Sequence, residues 1–138
     1  MKHVIFIAII IAFAVKLNAQ VTQQKPVWAV ISVPQMKCWE CKERLTKFLI
    51  KETGPNDEAA ILQFTINLFN ATVRIQYIPD RTTLDYIRTE IANAGYDADS
   101  IKATEDSYKV LPPACKRKDE GGGPQKGKPC NVPTDQRR

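Results

Sequence analysis

The amino-acid sequence predicts a single α+β domain of βαββαβ order, and three observations carry that prediction. Apolar and polar residues alternate at Leu62–Leu68 and again at Val73–Tyr77, after an earlier apolar-rich run at Val27–Val33. The period changes to that of a helix at Cys41–Leu49 and at Leu84–Ile91. Turn and cap residues fall at the joints between these segments.

Each element follows in order. Val27, Ala29, Ile31 and Val33 share one face of a first strand, which Pro34 ends. Cys41, Leu45, Phe48 and Leu49 recur at i, i+4, i+7 and i+8, one face of a helix, and Gly54-Pro55-Asn56 stops it. Leu62, Phe64, Ile66 and Leu68 alternate with Gln63, Thr65 and Asn67 as a second strand with one buried face. Asn70-Ala71 sits at a hairpin turn, and Val73, Ile75 and Tyr77 form the third strand, closed by Pro79-Asp80. Thr82 and Asp85 have capping-box spacing before Leu84, Ile87 and Ile91, and Gly95 stands where a helix C-terminal glycine belongs. Ile101 and Ala103 supply a short last strand within Asp97–Thr104. This is the ferredoxin-like arrangement: a four-stranded antiparallel sheet with two helices on one face buries every apolar stripe.

The ends of the chain read differently. A basic start, the twelve-residue apolar run Val4–Val15 and small Ala19 predict a signal peptide over residues 1–19. The run is shorter than the roughly 20 residues that span a bilayer, and no cysteine follows it to carry a lipid, so no stable membrane anchor is expected. Secretion or a periplasmic location follows, which places all four cysteines in an oxidising compartment. Residues 20–25 form a polar lead-in, 26–104 the domain and 105–115 a C-terminal extension able to dock on it. Residues 116–138 hold four glycines, three prolines and ten charged residues, and predict a disordered tail.

Composition narrows function. The 138-residue chain is 43% apolar with a net charge of +5. Loss of Lys2 and Lys16 leaves 18 basic against 15 acidic residues, too mild a balance to argue for nucleic acid. The one histidine, His3, leaves with the signal peptide. Without an imidazole, Ser–His–Asp hydrolysis, Cys–His proteolysis and His-ligated zinc catalysis are excluded. No nucleophile–base pair or cofactor loop is visible, so no enzyme is expected.

The chemistry concentrates at Met36-Lys37-Cys38-Trp39-Glu40-Cys41, where the first strand gives way to the first helix. Two sulfurs one turn apart there meet free helix-end amides and the positive end of the dipole, which favour thiolates. Lys37 and Lys42 add positive charge. Two soft donors suit Cu(I) or Hg(II) better than oxygen-seeking ions, and zinc would want four ligands. Cys-x-x-Cys alone also fits a structural disulfide or a redox dithiol. A thioredoxin-like fold is disfavoured, because ββαβ follows the first helix.

Met36-x-Cys38-x-x-Cys41, Tyr77-Ile78-Pro79-Asp80 and Gly95-Tyr96-Asp97-Ala98 together resemble the heavy-metal-associated domain family over about Val27–Thr104. The family includes periplasmic mercury-binding proteins and copper chaperones. The resemblance implies that Cys38 and Cys41 bind the metal, that Met36 packs under the binding loop and that Tyr96 lies near the site. The chain departs from the family pattern in having Pro34-Gln35 where a glycine usually precedes the methionine, and Trp39-Glu40 between the cysteines.

The expected function is therefore capture of Cu(I) or Hg(II) by an exposed, two-coordinate Cys38/Cys41 site and its transfer by ligand exchange. The partner is a metal-transporting or metal-accepting protein, and the chain itself a monomer or a metal-bridged dimer. The alternatives are a thiol–disulfide exchange protein using the same pair, and a metal-free interaction module. Cys115 and Cys130 leave three readings open: a disulfide to each other, Cys115 as a third metal ligand, or free and intermolecular thiols.

Overall fold

A computed structural model of the chain describes residues 24–53, 59–124 and 130. The expected signal peptide, residues 20–23 of the lead-in, the Gly54-Pro55-Asn56 stop and residues 125–129 and 131–138 of the tail lie outside the described residues. Strand β1 spans Val27–Ser32, helix α1 Trp39–Leu49, β2 Ile61–Asn67, β3 Thr72–Tyr77 and helix α2 Leu84–Asn93. A short helix α3 follows at Glu105–Lys109, with single 3-10 turns at Ile50–Glu52, Pro113–Cys115 and Lys118–Glu120. Among the described residues, no helix is long and apolar enough to cross a membrane.

The sheet has the order β1-β3-β2, both pairings antiparallel. β3 is central: Val27 pairs with Tyr77 and Ser32 with Thr72 on one side, and Ile61 with Tyr77 and Asn67 with Thr72 on the other. The β2 ladder slips between Ile61 and Gln63. Leu62 is the extra residue, so Ile61 takes the buried position that strict alternation gives to Leu62. In the hairpin, the Asn70 amide donates to Asn67 Oδ1 at 3.0 Å, and Ala71 turns the chain at φ 52.

One core joins sheet and helices. Ile31, Ile66, Val73 and Ile75 from the strands meet Leu45 and Leu49 of α1 and Ile87 and Ile91 of α2. Burial of each such aliphatic side chain contributes about 2 kcal/mol. Helix α2 starts one residue later than the capping-box spacing implies. Thr83, not Thr82, is the N-cap, and its Oγ1 accepts from the Tyr86 amide at 3.1 Å. The buried Thr82 hydroxyl has no hydrogen-bond partner among the described residues. Gly95 does end the helix: its amide donates to Ala92 O and the Tyr96 amide to Ile91 O, a Schellman pair.

The expected fourth strand does not form. Ala98 and Ile101 exchange both backbone hydrogen bonds at 2.9 Å and close a tight turn instead. Asp99, at φ 52, clasps the end of β1: its amide donates to Ser32 O at 2.9 Å and its Oδ1 accepts from Ser32 N at 2.8 Å. A side chain thus takes the Ser32 amide that a fourth strand would pair. Two residues earlier, Asp97 Oδ1 captures the Ala103 amide at 2.9 Å and bends the chain away from β1. Among the described residues the sheet has three strands.

The extension and the first part of the tail fold back onto the domain. Tyr108, Leu111 and Cys115 join the main core. Residues 116–124, expected as disordered, carry a 3-10 turn and a left-handed glycine at Gly121. The sequence signal for order was present in Tyr108 and Leu111, an apolar pair at i and i+3 leading into Cys115.

Candidate sulfur site

Helix α1 positions the cysteine pair. The Met36 amide donates to Val33 O and that of Lys37 to Gln35 O, a tight turn that delivers Cys38 in extended conformation to the N-cap of α1. Cys41 falls in the first helical turn and faces the core with Leu45 and Leu49. The two cysteines are i and i+3, and so lie on one side of the helix start. The first-turn amides have no intrahelical acceptor and carry the positive end of the dipole, which favours sulfur as thiolate.

The pair is not exposed. Cys38 is 1% and Cys41 0% accessible. Each is bonded to a cysteine from the C-terminal segment: Cys38 to Cys130 and Cys41 to Cys115, both with Cα atoms 5.4 Å apart. This overturns the reading of a Cys115–Cys130 disulfide and that of free thiols, and it replaces the expected open site with a covered one. Among the described residues no group of three or more histidine, cysteine, aspartate or glutamate side chains stands ready for a metal, since a disulfide sulfur has no thiolate to offer.

The surroundings place the remaining candidate residues. Met36 is wholly buried in the core. Tyr96, also buried, donates its hydroxyl to Cys41 O at 3.3 Å. Burial pushes its phenol far above the ordinary value, with Arg44 pulling against the shift and Glu40 adding to it. Trp39 is half-buried, with Lys42 Nζ 4.5 Å from its ring centroid.

Sequence reasoning missed the polar latch that holds the segment carrying Cys115. Arg117 donates from Nε to Asp97 Oδ2 at 2.8 Å and from Nη2 to Asp97 Oδ1 at 2.7 Å, a bidentate ion pair. Its Nη1 donates to Glu120 Oε1 at 3.0 Å, and its guanidinium lies 4.2 Å from the Tyr108 ring. The Tyr108 hydroxyl accepts from the Arg117 amide and donates to Glu120 Oε2. The Asp97 amide in turn donates to Gln35 Oε1 at 3.1 Å, just before Met36. The latch therefore ties the C-terminal segment to the loop that presents Cys38. Arg117 holds the Asp97 carboxyl down to about 2, with the Ala103 amide helping and burial opposing.

A three-stranded sheet packed with helices, bearing a Cys-x-x-Cys at the first turn of a core helix, defines a small sulfur-site domain that resembles the heavy-metal-associated domain family. No family model matches the chain. The chain is 33% identical over 78 residues to a copper-exporting P-type ATPase of Staphylococcus haemolyticus (strain JCSC1435). That match covers 56% of this chain and spans 9% of the length of the ATPase. Among solved structures, the chain is similar to oxidized MerP from Ralstonia metallidurans CH34, at 16% identity and a TM-score of 0.46 over 54% of this chain and 96% of that one. It is also similar to the CopZ metallochaperone, at 24% identity and a TM-score of 0.43 over 52% of this chain and 98% of that one.

Proposed function

We propose that this chain is a soft-metal-binding protein of the secreted or periplasmic space. In its reduced form it captures Cu(I) or Hg(II) with Cys38 and Cys41 and passes the ion to a metal-transporting or metal-accepting protein. The observation that carries this reading is the placement of both sulfurs on one side of the α1 N-terminus, where amides and dipole favour thiolates. The identity shared with a copper-exporting ATPase supports it. The donor set fits a soft ion by its chemistry. The chain is not proposed as an enzyme, and its assembly is a monomer or a metal-bridged dimer.

The covered state sets a condition on this function. Each disulfide must accept two electrons and two protons from a dithiol, which leaves as its own disulfide. Cys130 is half-buried while Cys41 and Cys115 are fully buried, so a reductant meets the Cys38–Cys130 bond first. An incoming partner thiolate then takes the ion through a transient complex with one more sulfur, and Cys38 and Cys41 regain protons as it leaves.

A second reading has an observation of its own. All four cysteines stand in disulfides, Cys38 with Cys130 and Cys41 with Cys115, so an exchange protein would work through these bonds between segments and not through a Cys38–Cys41 bond. One experiment separates the two: anaerobic Cu(I) titration against a competing chelator, on the oxidised chain, the reduced chain and the reduced Cys38→Ser, Cys41→Ser double variant. The metal reading expects uptake by the reduced chain alone. Equal uptake by the double variant, or none by the reduced chain, refutes it. Turnover of a disulfide substrate without Cu(I) uptake establishes the exchange reading.

A further inference from the structure

We propose that the reduced site is a three-thiolate site, with Cys115 as the third sulfur beside Cys38 and Cys41, held in place by the Arg117–Asp97 latch. This rests on the soft-metal reading above and specifies its ligand set.

The geometry points to it in two ways. First, Cys115 already lies against Cys41, with the Cα atoms 5.4 Å apart and both side chains excluded from solvent. Three sulfurs around one ion at a metal–sulfur distance of about 2.3 Å stand about 4 Å from one another. Opening the Cys41–Cys115 bond to that separation needs side-chain rotation and no movement of the backbone.

Second, the disulfide is not all that holds Cys115 there. Arg117, two residues on, is bound through both Asp97 oxygens, through Glu120 and over the Tyr108 ring. Tyr108 and Leu111 precede it in the core. The Cys115 amide is closed onto Pro112 O at 2.8 Å, and that of Gly123 onto Pro113 O at 3.2 Å. None of these contacts involves sulfur, so cleaving the bond breaks none of them directly. These contacts are why the third place is assigned to Cys115.

The chemistry balances simply. Two disulfides take four electrons and four protons from two dithiols and yield four thiols. The entering ion displaces one proton from each of Cys38, Cys41 and Cys115, while Cys130 keeps its own. A trigonal sulfur set suits Cu(I) and Hg(II).

The test uses the full chain, reduced anaerobically with a phosphine, loaded with Cu(I), and read by X-ray absorption for sulfur number and by chelator competition for affinity. The proteins are wild type, Cys115→Ser and Arg117→Gln. Wild type is expected to show three sulfur neighbours and Cys115→Ser two, with affinity lower by at least about tenfold. Arg117→Gln keeps every thiol, so it serves as the variant for a positioning residue. It is expected to lose the third sulfur in part and to weaken binding in the same direction as Cys115→Ser, by no more than that variant does. Two sulfurs in wild type, with Cys115→Ser binding as tightly, overturn the third ligand and leave the Cys38/Cys41 reading intact. Three sulfurs in both wild type and Arg117→Gln, at equal affinity, overturn the latch. Failure of the reduced wild type to bind Cu(I) overturns this inference and the reading beneath it together.

Discussion

Gly95→Ala tests the link between fold and site most directly. Gly95 sits at φ 97, where an L side chain is strained, at a cost of about 1–2 kcal/mol. A Cβ there would also stand 2.8 Å from Ser107 O and 3.2 Å from Leu111 Cγ. The first contact is with backbone and cannot be relieved by a side-chain turn, so α3 must shift, at a cost of about 1–3 kcal/mol. The alanine recovers about 0.4–1 kcal/mol by restricting the unfolded chain. The net expectation is a loss of about 1–5 kcal/mol. The displaced element is the one that leads to Leu111, Cys115 and Arg117, so the damage is directed at the cover. Urea unfolding of the oxidised chain measures the loss. After reduction, the labelling rate of Cys115 by an alkylating reagent reports its release and is expected to rise in the variant. Unchanged stability together with unchanged Cys115 protection would refute the argument that Gly95 seats the C-terminal segment.

Three other outcomes follow. Asp97 titrates near 2 when folded against 3.8 when exposed, so its pairing with Arg117 stabilises the fold above the higher value and is lost as pH falls through the lower. The loss is about 2 kcal/mol, and the stability difference between wild type and Asp97→Asn, measured by urea unfolding across acid pH, should shrink accordingly. Thr83→Ala removes the α2 cap and should cost about 1 kcal/mol, whereas Thr82→Val discards an unpartnered buried hydroxyl and should gain about 1 kcal/mol; thermal unfolding in which the two threonines change places would show the cap assigned wrongly. Reduction frees loops of 74 and 92 residues' separation, each worth about 4 kcal/mol on the chain-entropy account and less together because one nests inside the other; a urea midpoint indifferent to reductant would contradict the pairing.

What the sequence made legible was whatever rests on a local period. The strands at Val27–Ser32 and Thr72–Tyr77, both long helices and the Gly95 stop were readable, because side-chain alternation and helical recurrence are short-range and the left-handed C-terminal position selects glycine. What was lost depended on contacts across the chain. The stretch at Ile101 and Ala103 alternates as a strand should, but Asp97 and Asp99 take the amides and turn it aside. The capping box named Thr82 because Asp85 lies three residues on, while the structure uses its neighbour Thr83. Four cysteines allow three connectivities, and proximity in sequence favours 115 with 130. The observed choice accompanies an ion pair of Arg117 with Asp97, twenty residues earlier, a pairing that no local period announces. Cys38 and Cys41 were conspicuous by spacing, whereas their burial under residues from beyond position 104 was not.

The two disulfides also turn the middle of the chain into closed rings. Cys41 to Cys115 encloses β2, β3 and α2, and Cys38 to Cys130 encloses that ring in turn. A protease that cuts anywhere between Cys41 and Cys115 therefore liberates no fragment: the two pieces stay one molecule, heavier by a single water, until a thiol separates them. Among proteases the oxidised protein survives a nick that would dismember the reduced one, and resistance to fragmentation becomes a property that switches with the same electrons that free the thiols.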